Sequence, residues 1–234
     1  MKKIMFNDRY GLTKAVLEGR KTMTRRIIPP IVIDWNRRGK VTLPESCFKG
    51  ETLFMDASAI LDRFFEYPAP AKYQPKFEVG EIVAVAQSYG AILDELEDPR
   101  NFSCMEHWES KSGDRGKYAE LAMYSPGGGN KMFVCADLMP HQIRFTNIRA
   151  ERLQDITDED CLKEGVDKGY LGYYINGLKT KDWEKESHVE KDGKTYRLFP
   201  TPREAFAALI DKVSGKGTWE SNPWVYAYEF ELLK

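Results

Sequence analysis

Apolar positions recur in two rhythms, and their order sketches the fold. Trp224–Leu233 alternates without a break: Trp224, Tyr226, Tyr228, Phe230 and Leu232 share one face, Val225, Ala227, Glu229 and Glu231 the other. That period of two predicts a strand with an aromatic stripe turned to a core. Lys21–Ile28, alternating and β-branched, predicts a second strand closed by Pro29-Pro30. Strands are also expected at Lys3–Phe6, Glu81–Gln87, Lys131–Cys135 and Gln142–Leu153. The helical rhythm is clearest over Pro202–Val213, where Phe206, Leu209, Ile210 and Val213 form a buried stripe. Thr201 and Glu204 supply a capping box there, and Pro202 takes the first helical position. A shorter helix carries Leu12, Ala15 and Val16 behind Asn7 or Asp8 as cap and stops near Gly19. Another follows Thr157 over Asp158–Glu164 and ends at Gly165.

Three stretches interrupt this pattern as insertions. Residues 29–75 hold two Pro clusters, a hairpin around Arg38-Gly39, a helix near Ala57–Phe65 and a stiff connector to Pro75. Residues 88–130 end in the loop Ser125-Pro126-Gly127-Gly128-Gly129-Asn130, which lacks the Gly-Lys-Ser/Thr helix start of a phosphate cradle. Residues 167–199 are polar around Tyr170, Tyr173 and Tyr174, and Gly215–Pro223 is rich in turns. Without regular βαβ alternation or an internal repeat, the reading is a mixed α/β, mainly β fold. It is a small β-barrel with flanking short helices, one domain spanning 1–234 with these insertions.

Composition narrows the function. Of 234 residues, 35 are basic and 36 acidic, so the whole chain is no bulk polyanion binder. Residues 1–40 nevertheless hold eleven Lys/Arg against three Asp/Glu, which allows a local anion site there. No apolar run approaches the ~18–20 residues needed to span a bilayer, so no membrane partner is expected. The N-terminus turns polar too soon for a signal peptide. Cys47, Cys104, Cys135 and Cys161 form no Cys-x-x-Cys pair, and a reduced, cytoplasmic setting is expected. Cys104 and His107 stand at ligand spacing but lack a second pair, so neither metal nor other cofactor is expected.

The densest chemistry is Gly19-Arg20-Lys21-Thr22-Met23-Thr24-Arg25-Arg26: four cations and two hydroxyls behind a helix-ending glycine. Cations on an edge strand also guard it against aggregation. The segment resembles the Gly-x-Lys-x-x-x-x-Arg signature of the ASCH family, a PUA-like β-barrel group associated with RNA and nucleoside recognition. Glu78–Val85, then Met139–Phe145 running into Glu151-Arg152-Leu153-Gln154-Asp155-Ile156, and finally Gly217–Val225 are similar to a larger-bodied branch of that family. A small bacterial member, an N4-acetylcytidine amidohydrolase, carries a run similar to residues 19–26. By that resemblance Lys21 matches its catalytic lysine, Thr24 its nucleophile and Glu164 its catalytic glutamate.

Amide cleavage needs an activated hydroxyl, a base and an acid for the leaving amine. Two roles stay open for Lys21: a partly neutral base, or a charged stabiliser of the oxyanion while Glu164 shuttles protons. The first function reading is therefore a hydrolase of an acylated nucleoside amide through Lys21, Thr24 and Glu164. The second is a non-catalytic nucleic-acid-binding module that grips a nucleoside, nucleotide or RNA. Its contacts would be Gly19, Arg25, Arg26, Arg144, Trp219 and Asn222, with Trp219 stacking on a base. A third is an accessory protein of a phage or mobile element.

Overall fold

Strand pairing follows the alternating segments. The structure, a computed structural model, describes residues 1–28, 33–34, 40–41, 75–97, 105–180, 187–191 and 193–233. The chain divides into two compact units: Met1–Asp8, Ile82–Arg144 and the residues from Leu232, and then Arg9–Glu81 with Phe145–Glu231. The architecture is mixed α/β, and helix outweighs strand, 36% against 28%.

In the first unit β1 (Lys3–Ile4) lies parallel to β5 (Ile82–Val85). β5 pairs antiparallel with the first residues of β6 (Gln142–Arg152), in the register Ile82↔Arg144. The segment 88–130 forms two helices that the sequence pattern did not announce, α2 (Tyr89–Glu97) and α3 (Met105–Tyr124). Their core joins Tyr89, Ile92 and Tyr118 to Ala84, Ala86, Val134 and Met139. The glycine loop after α3 has a structural task. Gly127 and Gly128 carbonyls accept the Tyr89 and Gly90 N–H groups at 3.0 Å, satisfying donors at the start of α2. Gly128 must be glycine, because a Cβ there would stand 2.1 Å from the Ala122 oxygen. Lys131–Phe133 is a 3-10 turn rather than a strand: the Asn130 side chain accepts from Met132 N, and Met132 and Phe133 are exposed.

In the second unit the strand order is β6, β11 (Trp224–Leu233), β2 (Met23–Ile27). β2 and β11 are antiparallel, with Thr24 opposite Tyr228 and Arg25 opposite Ala227. Opposite residues share a face, so alternation sorts this pair into two faces. Thr24, Arg26, Tyr226, Tyr228 and Phe230 occupy one, continuous with Phe77 and Phe145, whose rings stack at 4.6 Å. Met23, Arg25, Val225, Ala227 and Glu229 occupy the other. Val225 and Ala227 are fully buried, so β11 is covered on both sides where its aromatic stripe alone was expected inside.

The helices of this unit are α1 (Leu12–Leu17), α4 (Asp158–Lys163), α5 (Pro202–Val213) and α6 (Thr218–Ser221). α1 starts from Gly11 in the left-handed conformation, not from an Asn7 or Asp8 cap, because Asp8–Tyr10 already forms a 3-10 turn. Thr157 caps α4 through Asp160 N, and Thr201 caps α5 through Glu204 N, both as the sequence predicts. Val213 lies outside the α5 stripe and is exposed. β3 (Ile33–Asp34) pairs antiparallel with β4 (Lys40–Val41), while Arg38-Gly39, where the sequence places the hairpin, lies outside the described residues. The helix near Ala57–Phe65, the Pro clusters of 29–75 and Cys104 lie outside the described residues. Residues 167–199 carry two short pairs, β7 (Asp167–Lys168) with β8 (Tyr173–Tyr174) and β9 (His188–Lys191) with β10 (Lys194–Arg197). Among the described residues no helix is long and apolar enough to cross a membrane.

Candidate functional site

The site begins at the corner between α1 and β2. Gly19 is left-handed (φ +72°), and the N–H groups of Arg20 and Lys21 both return to the Ala15 carbonyl at 2.9 Å. Thr22 then ties two distant segments together: its N–H donates to Lys163 O, and its carbonyl accepts from Phe230 N, each at 2.9 Å. The first of these bonds draws the corner to the end of α4, where Glu164 is the capping residue.

Lys21 and Glu164 therefore meet, although 143 positions separate them. Lys21 Nζ donates to Glu164 Oε2 at 2.6 Å, to Glu164 O at 2.8 Å and to Met23 O at 2.6 Å. Its three N–H bonds match these three acceptors. Both side chains are buried, 2% and 5% exposed. Burial lowers the Lys21 pKa from the ordinary lysine value; Glu164 pulls it upward, while Arg26 and Arg25 push it further down.

Arg25 shares the carboxylate, donating to Glu164 Oε1 at 3.1 Å, and extends the network to Glu151 at 2.6 Å and Asp160 at 3.0 Å. Arg149 closes it by pairing with Glu151, Asp160 and Glu229. Burial alone would lower the Arg25 guanidinium, but Glu164, Glu151 and Asp160 outweigh it and the net shift is upward. Arg25 is thus a fixed buried cation rather than a surface contact. The sequence reading missed Arg149, Glu151 and Asp160 as members of this network. Their spacing carried a signal, since Arg149 and Glu151 share a face of β6 and Asp160 stands one helical turn before Glu164.

The third member of the expected trio stands apart. Thr24 is buried and lies with Arg26 on the opposite face of β2 from Met23 and Arg25, beside Tyr228. Arg26 keeps solvent on its surface, yet the protein around its guanidinium lowers its pKa by desolvation. Burial raises the Tyr226 and Tyr228 hydroxyls, so both stay neutral.

Trp219 and Asn222 are engaged in holding the chain. The Trp219 ring meets Phe206 edge-on at 6.2 Å with the Arg203 guanidinium 5.2 Å from its centroid, and its carbonyl accepts from Gln154 Nε2. Asn222 adopts a left-handed conformation and accepts from Gln154 N at 2.8 Å. Both bond to Gln154 of the Leu-Gln-Asp-Ile segment. Arg144 belongs to the first unit and is exposed on β6.

Among the described residues no group of three or more His, Cys, Asp or Glu side chains could hold a metal ion. Comparison with protein-family models, curated proteins and solved structures returned no match to this chain.

Proposed function

We propose that the chain is an ASCH-type protein of PUA-like β-barrel architecture that acts in the cytoplasm on a nucleoside, nucleotide or RNA-related ligand at the β2 corner. The observation that carries this reading is the buried Lys21–Glu164 contact at 2.6 Å. The resemblance required those two residues to meet, and nothing in the local sequence around either one demanded it. The activity proposed for the site is hydrolysis of an acylated nucleoside amide, with N4-acetylcytidine as the test substrate. A buried lysine of lowered pKa against a carboxylate is the kind of pair that moves protons. In this scheme Thr24 Oγ attacks the amide carbon and its proton passes to the Lys21–Glu164 pair. The C–N bond breaks, the pair protonates the departing amine, and water then cleaves the acyl group from Thr24. Because Thr24 lies across β2 from that pair, the scheme requires its hydroxyl to reach the pair around the outer edge of the strand.

A second reading, ligand binding without catalysis, is favoured by a specific observation: both Glu164 oxygens and three acceptors around Lys21 are already engaged. There the network fixes β2 while Arg26 and the neighbouring tyrosines meet the ligand, in the setting of a phage or mobile-element accessory protein. Release of cytidine from N4-acetylcytidine separates the two. The hydrolytic reading expects turnover that Thr24→Ala abolishes while ligand binding persists. Absence of turnover, together with nucleoside or RNA binding that weakens steeply with salt, leaves the binding reading.

A further inference from the structure

The ion network beside β2 runs from the surface to the buried pair. Glu151 and Asp160 each stand between two guanidiniums. Glu151 gives Oε1 to Arg25 at 2.6 Å and Oε2 to Arg149 at 2.7 Å. Asp160 Oδ2 accepts from Arg25 at 3.0 Å and from Arg149 at 2.5 Å. Arg25 then reaches Glu164 Oε1 at 3.1 Å, and Lys21 holds Oε2 at 2.6 Å. Exposure falls along this path, from 31% for the Arg149 side chain to 1% for Arg25 and 2% for Lys21. Strand alternation places Arg149 on one face of β6 with Glu151, and its third carboxylate, Glu229, comes from β11.

Three carboxylates compete for the single Arg25 guanidinium. Its Nη1 serves Glu164, while Nε and Nη2 serve Glu151 and Asp160. Arg149 takes the second oxygen of Glu151 and shares Oδ2 of Asp160, which relieves the pull of both on Arg25. Lys163 is no substitute, because it is half exposed and 3.8 Å from Asp160 Oδ1. With Arg149 removed, the charge of Glu151 and Asp160 falls on Arg25 and draws it off Glu164. Lys21 then meets the Glu164 carboxylate with one cation fewer in the network and another further away. Each of these changes favours the protonated lysine.

We propose that Arg149 is a positioning residue: by bridging Glu151 and Asp160 it keeps Arg25 on Glu164 Oε1 and so fixes the Lys21–Glu164 contact. Its bearing on turnover rests on the hydrolytic reading above, whereas its effect on the pair is read without substrate. Carbon-13 NMR of the full chain follows the Lys21 ε-methylene, assigned by its loss in Lys21→Met, as pH is raised. In Arg149→Met the Lys21 midpoint moves up by about one pH unit. A crystal structure of that variant shows Arg25 parted from Glu164 Oε1. Arg149→Lys keeps the charge without the planar fork, so it gives a smaller move in the same direction and serves alone should Arg149→Met not fold. Ile92→Val, a loss of core packing in the other unit, leaves the midpoint in place. An unchanged midpoint in the Arg149 variants, an equal move in Ile92→Val, or Arg25 still on Glu164 in the Arg149→Met crystal would overturn the proposal. N4-acetylcytidine turnover by the unsubstituted protein is a separate result: its absence sinks the hydrolytic reading and leaves the NMR and crystal outcomes to decide the role of Arg149.

Discussion

Removing the Glu164 carboxylate is the sharpest perturbation of the second unit. Glu164→Ala removes the carboxylate from Lys21 Nζ and leaves the Met23 and Glu164 carbonyls, while Arg25 keeps Glu151 and Asp160. The Lys21 side chain is 2% exposed, so water cannot substitute for the lost carboxylate. Breaking a buried ion pair from one side costs about 3–5 kcal/mol. At about 2–4 °C per kcal/mol for a chain of this size, the melting point falls by about 6–20 °C. Lys21→Met costs less, because Glu164 retains Arg25 at 3.1 Å. The double variant Lys21→Met/Glu164→Ala loses about 0.5–3 kcal/mol less than the two single losses combined.

The pH dependence has a definite sign. Burial lowers the folded Lys21 pKa, so between that value and 10.5 the unfolded chain holds more protons and stability attributable to Lys21 rises with pH. It is lost as pH falls through the folded value, and Lys21→Met removes the slope. Urea unfolding followed by tryptophan fluorescence measures both effects. A Glu164→Ala loss below about 1 kcal/mol, the range of exposed pairs, would refute the reasoning by showing the pair to be solvated.

Thiol chemistry and backbone geometry give two further tests. Cys161 is fully buried, and burial pushes its thiol pKa up to about 12, whereas Cys135 is exposed. Iodoacetamide on the native protein labels Cys135 and spares Cys161, and peptide mass spectrometry showing equal labelling would contradict that burial. Gly177 has φ +85°, and a Cβ there would stand 2.1 Å from Arg9 O, so Gly177→Ala costs about 2 kcal/mol or more. Gly19 has φ +72° with open space, so Gly19→Ala costs only about 1 kcal/mol, and equal losses in urea melts would count against this difference.

Legibility tracked how local each determinant was. The α4 and α5 caps could be read because Thr157 and Thr201 bond to N–H groups three residues on. The β11 boundaries could be read because ten residues keep one period. The α2–α3 pair was hidden by composition: α3 mixes charged and apolar positions with no stripe strong enough to mark a helix. Lys131–Phe133 resembled a strand because a short apolar run looks the same extended or turned, and only Asn130 decides it. At the candidate site, the Lys21–Glu164 contact was reachable only by resemblance, since a bond from Thr22 to Lys163 creates it across the chain. Arg25 was read as a ligand contact because four cations fall within eight residues. Its burial depends on carboxylates from β6 and α4 that no local pattern announces.

β2 has its register set by β11, so residues 23–27 are templated by residues 225–229, about two hundred positions later. During synthesis the Lys21 corner emerges about two hundred residues before its sheet neighbour. Closing so long a loop costs only slightly more entropy than closing one half as long, but assembly that depends on such distant partners is slow. Until then Met23 and Thr24 lack their sheet cover, and the nascent chain depends on its cationic run at residues 20–26 to discourage pairing with other chains.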